Sequence, residues 1–492
     1  TAIANSVNHY TDHNLPESPT MRTFKLEQST KEIDMKTLKI EKSDKKMITS
    51  HAGLALVGRA IHGYTSLSKG IDALFKQKRG TPMSDVIKSY MGVLAQGKHS
   101  FVTVENIAGD RFFKEAMGLK KGAPSEATLR TRLKKEAAAL IPIIDQSNID
   151  FLVRREVPLT PLWTGHIPFD IDVTPHDNSN TQKEHVSRTY KGMDGYAPIA
   201  SYLGQEGWAI GYELCAGSQH SQCEFIYTLE RNFDGIHRIM KERLIREQAI
   251  LVRLDSGHDA AETRAWLYEL DTPLLIDLIL KWNPRSEASA DNKQKWYEHA
   301  LDQGHHVQWS NPRKGKQVAT FSIYVDEKYN GKTYTNRRVM QITKRTIDKK
   351  GQELLFPELT VEGWWTTLDN SDQDILALYR DHATSEQFHS EIKTDLDLDR
   401  LPSQSFDGND LILSMGSMVY NILRWIGLAG LMEEDSPVRH TAKRRRIRTV
   451  LQELIYVGAQ LYEKSRFLIL RFGKSTSAYT PFQRVYHLLA YG

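Results

Sequence analysis

The sequence predicts an α/β protein in which a mixed, layered sheet forms the core and helical regions flank it. Three observations predict this class. Residues 51–160 carry apolar side chains at helical spacing, residues 161–283 alternate strand-like and helical runs, and residues 284–360 contain short strand-like runs between turn signals. With 492 residues, 40 % of them hydrophobic and 26 % charged, the chain is long enough for several domains with buried cores.

The N-terminal part is predicted to be a polar arm followed by a helical region. Residues 1–50 are polar and weakly periodic, which is typical of a terminal arm. In the helical region, residues 51–160, Ser125 is a candidate N-cap, and Arg130 and Arg132 follow it. Such arginines indicate a DNA-docking element, although a solvated helix face has the same pattern. We take both as candidate DNA contacts.

The first part of the core, residues 161–283, is predicted to bring two aspartates to strand ends. Asp172 lies late in the apolar run 167–173, and Asp255 directly follows another buried apolar run. Asp170 lies on the same strand face as Asp172, because side chains two residues apart point the same way. It is an auxiliary or neighbouring acid in this interpretation.

The second part of the core, residues 361–432, contains a helix with an unusual polar stripe. Tyr379, His382, Glu386 and Lys393 fall within about 60° of one helix face. Glu386 and the two strand aspartates are the carboxylates that a pair of Mg²⁺ ions needs for phosphodiester chemistry, and Mn²⁺ is expected to substitute. Four other acids are alternatives to Glu386: Glu391, Asp395, Asp397 and Asp399.

The regions on either side of this helix supply candidate DNA contacts. The β-rich insertion, residues 284–360, is rich in Lys and Arg, and Asn330-Gly331 is a hairpin signal within it. The C-terminal region, residues 433–492, is helical and basic. From position 439 to position 474 it holds ten Lys or Arg against two acids, whereas the whole chain has a net charge of +4. We take Arg444, Arg445 and Arg446 as candidate DNA contacts.

Composition excludes several other classes. Leu411–Met432 is long and apolar, but Arg424 near its middle favours a buried core helix over a membrane span. Only two cysteines occur, and no further ligands at zinc-site spacing accompany them, which fits a reducing compartment. The polar N-terminus lacks the apolar segment of a secretory signal. We expect a cytoplasmic protein without a membrane partner.

These motifs resemble the DDE transposases of bacterial insertion sequences. The relevant group carries the signature Tyr, two residues, Arg, three residues, Glu, six residues, Lys. Tyr379, Glu386 and Lys393 match it in register, and His382 stands where the family has Arg. Further segments are similar to the insertion-sequence group numbered thirteen-eighty, and they begin at Pro124, Asp170, Tyr190, Arg253 and Arg400.

The resemblance implies an RNase H-like catalytic core that a β-rich insertion interrupts before the Glu386 helix. It also implies a metal-dependent, nucleoid-associated bacterial enzyme that binds transposon-end inverted repeats, cuts them and joins the 3′ hydroxyls to target DNA. Two ends must be joined, so a homodimer is expected. Relatives often form a hairpin on the element end, and Trp309 or the pair Trp364–Trp365 could stack on a flipped base.

Two other functions fit some of the same residues. An RNase H-like nuclease or resolvase would use the same carboxylates without strand transfer. Such a protein needs far fewer residues, so the helical, insertion and C-terminal segments favour a transposase. A transposase-derived DNA-binding protein would have lost catalysis. His382 is the hint of such a loss, whereas the intact Asp172, Asp255 and Glu386 argue against it.

Overall fold

The computed structural model describes residues 47–76, 79–242, 248–465 and 467–491. Most of the expected polar arm, residues 1–46, lies outside the described residues. The first described element is a short strand, β1 (Met47–Thr49).

Among the described residues, six helices precede the main sheet, and the last of them is the longest, with 29 residues. The hydroxyl of Ser125 accepts a hydrogen bond from the N–H of Thr128 at 3.3 Å, which confirms the N-cap predicted from the sequence. This helix packs against the apolar helix Phe406–Leu431. The six helices are α1 (Leu54–Tyr64), α2 (Leu67–Leu74), α3 (Met83–Leu94), α4 (Thr103–Ile107), α5 (Arg111–Ala116) and α6 (Glu126–Arg154).

The next segment begins with six strands and then alternates helices with strands, as expected of an α/β core. Most of its strands are buried, in agreement with their apolar sequences. The elements are β2 (Ile167–Val173), β3 (His176–Asp177), β4 (Ser187–Arg188), β5 (Asp194–Tyr196), β6 (Ile199–Leu203), β7 (Trp208–Glu213), α7 (Phe225–Glu242), β8 (Ile250–Leu254), α8 (Ala261–Glu269) and β9 (Ile276–Lys281).

One helix, one short strand and three long strands follow. Asn330 and Gly331 form the turn between two of these strands, both with positive φ, as the hairpin signal predicts. The elements are α9 (Ala290–Asp302), β10 (Gln308–Arg313), β11 (Lys316–Tyr329), β12 (Lys332–Ile347) and β13 (Glu353–Thr366).

The C-terminal part is mainly helical. Within the described residues one helix, Phe406–Leu431, is long and apolar enough to cross a membrane, and 94 % of its most apolar window is buried inside the protein. The elements are α10 (Asp372–Arg380), α11 (Ser385–Ser390), α12 (Phe406–Leu431), α13 (Ile447–Val450), β14 (Ala459–Lys464), β15 (Phe467–Phe472) and α14 (Tyr479–Tyr491).

One nine-stranded mixed sheet organises the molecule, in the order β10-β11-β12-β13-β9-β8-β2-β6-β7. The strands β2, β8 and β9 run parallel, and the other pairs are antiparallel. The β-rich segment therefore continues the core sheet through the pairing of β13 with β9. Two small three-stranded sheets, β1-β14-β15 and β3-β5-β4, lie outside it.

Candidate active site

Two aspartates lie side by side where adjacent parallel strands end. The register between β2 and β8 ends at the pair of Ile171 with Leu254. Asp172 and Asp255 are the next residues on the two strands. Because neighbouring strands lie about 4.8 Å apart, both carboxylates leave the same edge of the sheet. The Asp255 side chain also accepts a hydrogen bond from the N–H of Gly257 at 3.0 Å, which fixes the start of the following turn.

Glu386 on α11 faces these aspartates across a cavity of about 1020 Å³, which all three carboxylates line. The same three carboxylates also act on Tyr190. Desolvation of its hydroxyl and the negative charges of the three carboxylates raise the pKa of Tyr190 to about 12. Other residues predicted from the sequence also line this cavity, namely Tyr379, His382, Lys393 and Trp364.

The acidic residues of the cavity fall into two groups, those with a lysine partner and those without one. Five acids line it. Glu362 pairs with Lys281 at 3.0 Å, and Asp399 pairs with Lys393 at 3.0 Å. In the part of the chain that the structure describes, no Lys or Arg pairs with the other three, which are Asp172, Asp255 and Glu386.

The sequence suggested that the polar stripe lies on one uninterrupted α-helix. In the structure, this helix is interrupted. After α10 the chain forms a 3₁₀ turn at Asp381–Thr384, then α11, then a π turn at Glu391–Asp395. A 3₁₀ turn is wound more tightly than an α-helix and a π turn more loosely, so the two turns offset one another. The stripe still faces one cavity from Tyr379 to Lys393.

Asp172 is half-enclosed by polar groups. The N–H of Val173 donates to its carboxylate at 2.8 Å, and Nε2 of His389 lies 3.4 Å from its Oδ2. Burial alone would raise the pKa of Asp172, but the adjacent His389 imidazole and the charge of His382 hold that pKa below its ordinary value. The group is therefore a carboxylate at neutral pH, as a metal ligand must be.

Asp170 occupies a different environment, although it is only two residues away. It is buried, and the Arg253 guanidinium donates to both its oxygens at 2.6 and 2.8 Å. Nδ1 of His382 lies 3.0 Å from the same carboxylate. Arg253 also donates to the carbonyl of Leu378 on α10 at 2.8 Å. Asp170 thus ties the two aspartate strands to the helical segment, and it does not line the carboxylate cavity.

Other predicted auxiliary residues are also held in place. His382 packs against the Tyr379 ring, with centroids 5.6 Å apart. The Lys393 ammonium donates to the carbonyl of Pro175 and pairs with Asp399. Burial and the neighbouring carboxylates raise the pKa of Tyr379 far above its ordinary value, so its hydroxyl stays protonated.

The three arginines predicted as C-terminal DNA contacts all have partners within the protein, although the Arg446 side chain is 46 % exposed. Arg444 pairs with Glu391 at 2.5 Å, and Arg446 pairs with Asp395 at 2.8 Å. Arg445 is buried and donates to three main-chain carbonyls. The same contacts occupy two of the acids that were alternatives to Glu386. The other two alternatives are also paired, Asp397 with His99 and Asp399 with Lys393.

The remaining candidates lie apart from the carboxylates. Arg130 pairs with Glu126 on the surface of α6, and Arg132 donates to the carbonyl of Thr81 at 2.6 Å. Trp309 on β10 packs against Tyr297, with ring centroids 6.2 Å apart, and does not line the cavity.

The structure also adds residues that the sequence did not single out for a role. Tyr190 is 68 % exposed, lines the cavity and donates its hydroxyl to the carbonyl of Val173 at 3.2 Å. Lys191 and His389 line the cavity as well. Tyr190 belongs to a segment similar to the insertion-sequence family, which was the available signal. For His389, the only signal in the sequence was its position one helical turn after Glu386.

The donor set fits hard divalent cations. Among the described residues no three His, Cys, Asp or Glu side chains stand close enough to hold a metal ion as they are. The carboxylates line an open cavity instead. Mg²⁺ commonly binds in this way, through one or two carboxylates, waters and substrate phosphates. His389 lines the same cavity, and its Nε2 is buried without a hydrogen-bond partner.

A family model and a solved structure are similar to this chain. A family model described as "Transposase DDE domain group 1" matches residues 32–491. No curated protein matches the sequence. Among solved structures, a piggyBac transposase synaptic complex with hairpin DNA is similar at a TM-score of 0.42 and 12 % identity, over 82 % of this chain and 79 % of that chain. That likeness is too distant to transfer individual residues.

Proposed function

The chain belongs to the DDE transposases, and we propose that it binds the inverted repeats at the ends of a mobile DNA element, cleaves them with two divalent metal ions and transfers the 3′ ends to target DNA. The observation that carries this proposal is the convergence of Asp172, Asp255 and Glu386 on one cavity. These three acids come from two strands and a helix. Among the described residues no lysine pairs with them, so their oxygens are available to metal ions.

The proposed chemistry consists of two displacements at phosphorus. Bound metal ions would stabilise charge on the attacking and leaving oxygens, and the three carboxylates supply the oxygens that hold them. In the first step water attacks the phosphodiester at the element end, and the bond to the 3′ oxygen breaks. In the second step the 3′ hydroxyl attacks a target phosphodiester and displaces its leaving oxygen. Tyr379 and Lys393 face the cavity and can donate hydrogen bonds to a phosphate oxygen.

We assign the strands around the site to an RNase H-like core. In the order β7-β6-β2-β8-β9, the two aspartates stand on the adjacent parallel strands β2 and β8. The β-rich segment enters after β9 and returns through β13 before the helix with Glu386. This strand order and the position of the β-rich segment support the assignment. Because two element ends must be joined, we propose a homodimer that acts on the DNA of a bacterial nucleoid.

If the reaction passes through a hairpin, Tyr190 is a better base-stacking candidate than the tryptophans. Trp364 is only 5 % exposed and packs on Tyr379. Tyr190 presents an exposed ring at the cavity with its hydroxyl anchored, and base–aromatic stacking is worth about 1–3 kcal/mol.

Stacking by Tyr190 has a direct fluorescence test. With 2-aminopurine at the element terminus, Tyr190→Ala is expected to remove the quenching that the wild type and Tyr190→Phe produce, because only the aromatic ring is needed. Equal quenching in all three proteins would exclude Tyr190 from this role.

The function is tested with purified protein, labelled element-end DNA and Mg²⁺. We expect cleavage followed by joining to a target plasmid. Asp172→Asn, Asp255→Asn and Glu386→Gln should each lower cleavage by at least about a thousandfold, since each removes a proposed metal ligand, while DNA binding in a gel shift is retained. Glu362→Gln is the matched control, because this acid lines the same cavity but is paired with Lys281.

The outcomes separate the alternatives. Cleavage without joining would indicate a nuclease or resolvase, and a gel shift without cleavage would indicate a DNA-binding protein. A strong loss in Glu362→Gln together with normal activity in Glu386→Gln would reverse the assignment of the helix-borne ligand.

A further inference from the structure

One histidine in the carboxylate cavity has an unsatisfied nitrogen. His389 lies three residues after Glu386, one turn further along the same helical segment, and lines the cavity. It is 5 % exposed, and its Nε2 is buried without a hydrogen-bond partner. Buried polar atoms without partners are rare in native proteins and call for an explanation such as a bound ion.

The surroundings of His389 resemble those of a metal-binding imidazole. Its Nδ1 lies 3.3 Å from the hydroxyl of Tyr202, which is buried. With a cation bound, Nδ1 carries the proton and donates to that oxygen, and Nε2 offers its lone pair to the ion, in place of the ion pair that a protonated His389 makes with Asp172. Metal-ligating histidines typically donate their second nitrogen to a neighbouring group in this way.

The distance between His389 and Asp172 fits two ligands of one ion. Nε2 lies 3.4 Å from Oδ2 of Asp172. Two ligand atoms that each lie about 2.1 Å from a common ion are separated by roughly 3.0 Å in octahedral and roughly 3.4 Å in tetrahedral geometry. The pair therefore needs little movement to bind the same cation.

We propose that Nε2 of His389 is a nitrogen ligand of the divalent ion that Asp172 and Glu386 hold, so that this site contains an imidazole as well as carboxylates. The inference rests on the proposed function, because it concerns the same ions. Mg²⁺ prefers oxygen donors, whereas imidazole suits transition metals. The consequence is a preference for Mn²⁺ over Mg²⁺ that a purely carboxylate site would not show.

His382, the other histidine that lines the cavity, provides a matched control. Its Nδ1 bonds to Asp170, so it is engaged on the side of the buried ion pair. Replacement of either histidine by Gln removes one imidazole from the cavity. Only the His389 variant should alter the ligands of the ion.

The experiment is electron spin-echo spectroscopy of Mn²⁺ bound to the full-length, untagged protein, combined with calorimetric titration of Mn²⁺ and Mg²⁺. We expect ¹⁴N coupling in the wild type and in His382→Gln, and none in His389→Gln. Affinity for Mn²⁺ should fall at least about tenfold in His389→Gln, with a smaller change for Mg²⁺. Labelling of the wild type with ¹⁵N-histidine should convert the coupling to that of ¹⁵N, which tests the inference without any substitution.

Mn²⁺ binding without nitrogen coupling in the wild type, or coupling that persists in His389→Gln, would overturn the inference. In that case weaker Mn²⁺ binding by Asp172→Asn and Glu386→Gln would still support the proposed function. If those two carboxylate variants bind Mn²⁺ as the wild type does, or the wild type binds none, the metal site of the proposed function is itself wrong.

Discussion

Asp170 and Asp172 show how strongly the surroundings determine what an acidic residue does. The Asp170 side chain is 4 % exposed and bonded to Arg253 and His382, whereas the Asp172 side chain is 24 % exposed and faces the cavity. Both lie on one strand face. The inner aspartate holds strands and helix together, and the outer one is left for chemistry.

Asp170→Asn is expected to destabilise the protein by about 3–5 kcal/mol, because it leaves the Arg253 guanidinium buried without its charged partner. Urea unfolding measures this loss, and Asp172→Asn is the control. Arg253 and His382 hold the pKa of Asp170 below its ordinary value despite burial. The ion pair therefore stabilises the fold above about pH 4, and this contribution is lost as pH falls further. A cost below about 1 kcal/mol would contradict this account.

At the level of the elements, periodicity and composition predicted the strands better than the helical segment. The run Ile250–Leu254 is apolar except for Arg253, so it could be a buried strand or a short piece of helix, and its neighbours favoured the strand. The 3₁₀ turn at Asp381–Thr384 and the π turn at Glu391–Asp395 could not be predicted, because tertiary contacts impose them. One such contact is the ion pair of buried Glu391 with Arg424.

The helix α12 contains a partly buried acid, Asp410, which gives the protein a pH-dependent stability. Burial, with Asp145 and Glu213 nearby, raises the pKa of Asp410 to about 7. The folded protein therefore binds a proton that the unfolded chain releases near pH 4. Stability contributed by this group should fall as pH rises from about 4 to 7.

Asp410→Asn should remove that part of the pH dependence and leave the protein more stable at pH 8 by at least about 1 kcal/mol. The amide oxygen can still accept the hydrogen bond from the N–H of Leu214. Thermal or urea unfolding at pH 5 and pH 8 checks this, with little difference expected at pH 5. Parallel profiles for the two proteins would show that Asp410 does not titrate in this range.

For the molecule as a whole, local charge density in the sequence did not show which cations have acidic partners in the fold. Arg444 and Arg446 looked available because their acidic partners, Glu391 and Asp395, lie about fifty residues earlier in the sequence. The turn between β10 and β11 is different. Among the described residues, no acid pairs with its three cations, which are Arg313, Lys314 and Lys316.

Replacement of Arg313, Lys314 and Lys316 by Gln is expected to weaken DNA binding and flatten its salt dependence, by up to about 0.9 in the log–log slope for each phosphate that the variant no longer neutralises. Fluorescence anisotropy across a salt series measures this slope. The control is a triple variant that removes the same charge from ion-paired positions, Arg111→Gln, Lys120→Gln and Lys332→Gln. It should change the slope less, because acidic partners already neutralise those cations. Equal slopes for both triple variants would exclude the turn as a phosphate-binding element.

The continuous sheet fixes the distance between the basic turn and the carboxylates. A single row of paired residues crosses it from Leu254, beside Asp255, to Ile323 on β11, four strand spacings away. Lys316 lies seven residues further along β11. At about 4.8 Å per strand and about 3.4 Å per residue, the basic turn is roughly 30 Å from the carboxylates. That is close to one turn of duplex DNA, about 34–36 Å. A duplex held at the turn would present nearly the same side of its helix to the cutting site, at a spacing that hydrogen bonds fix.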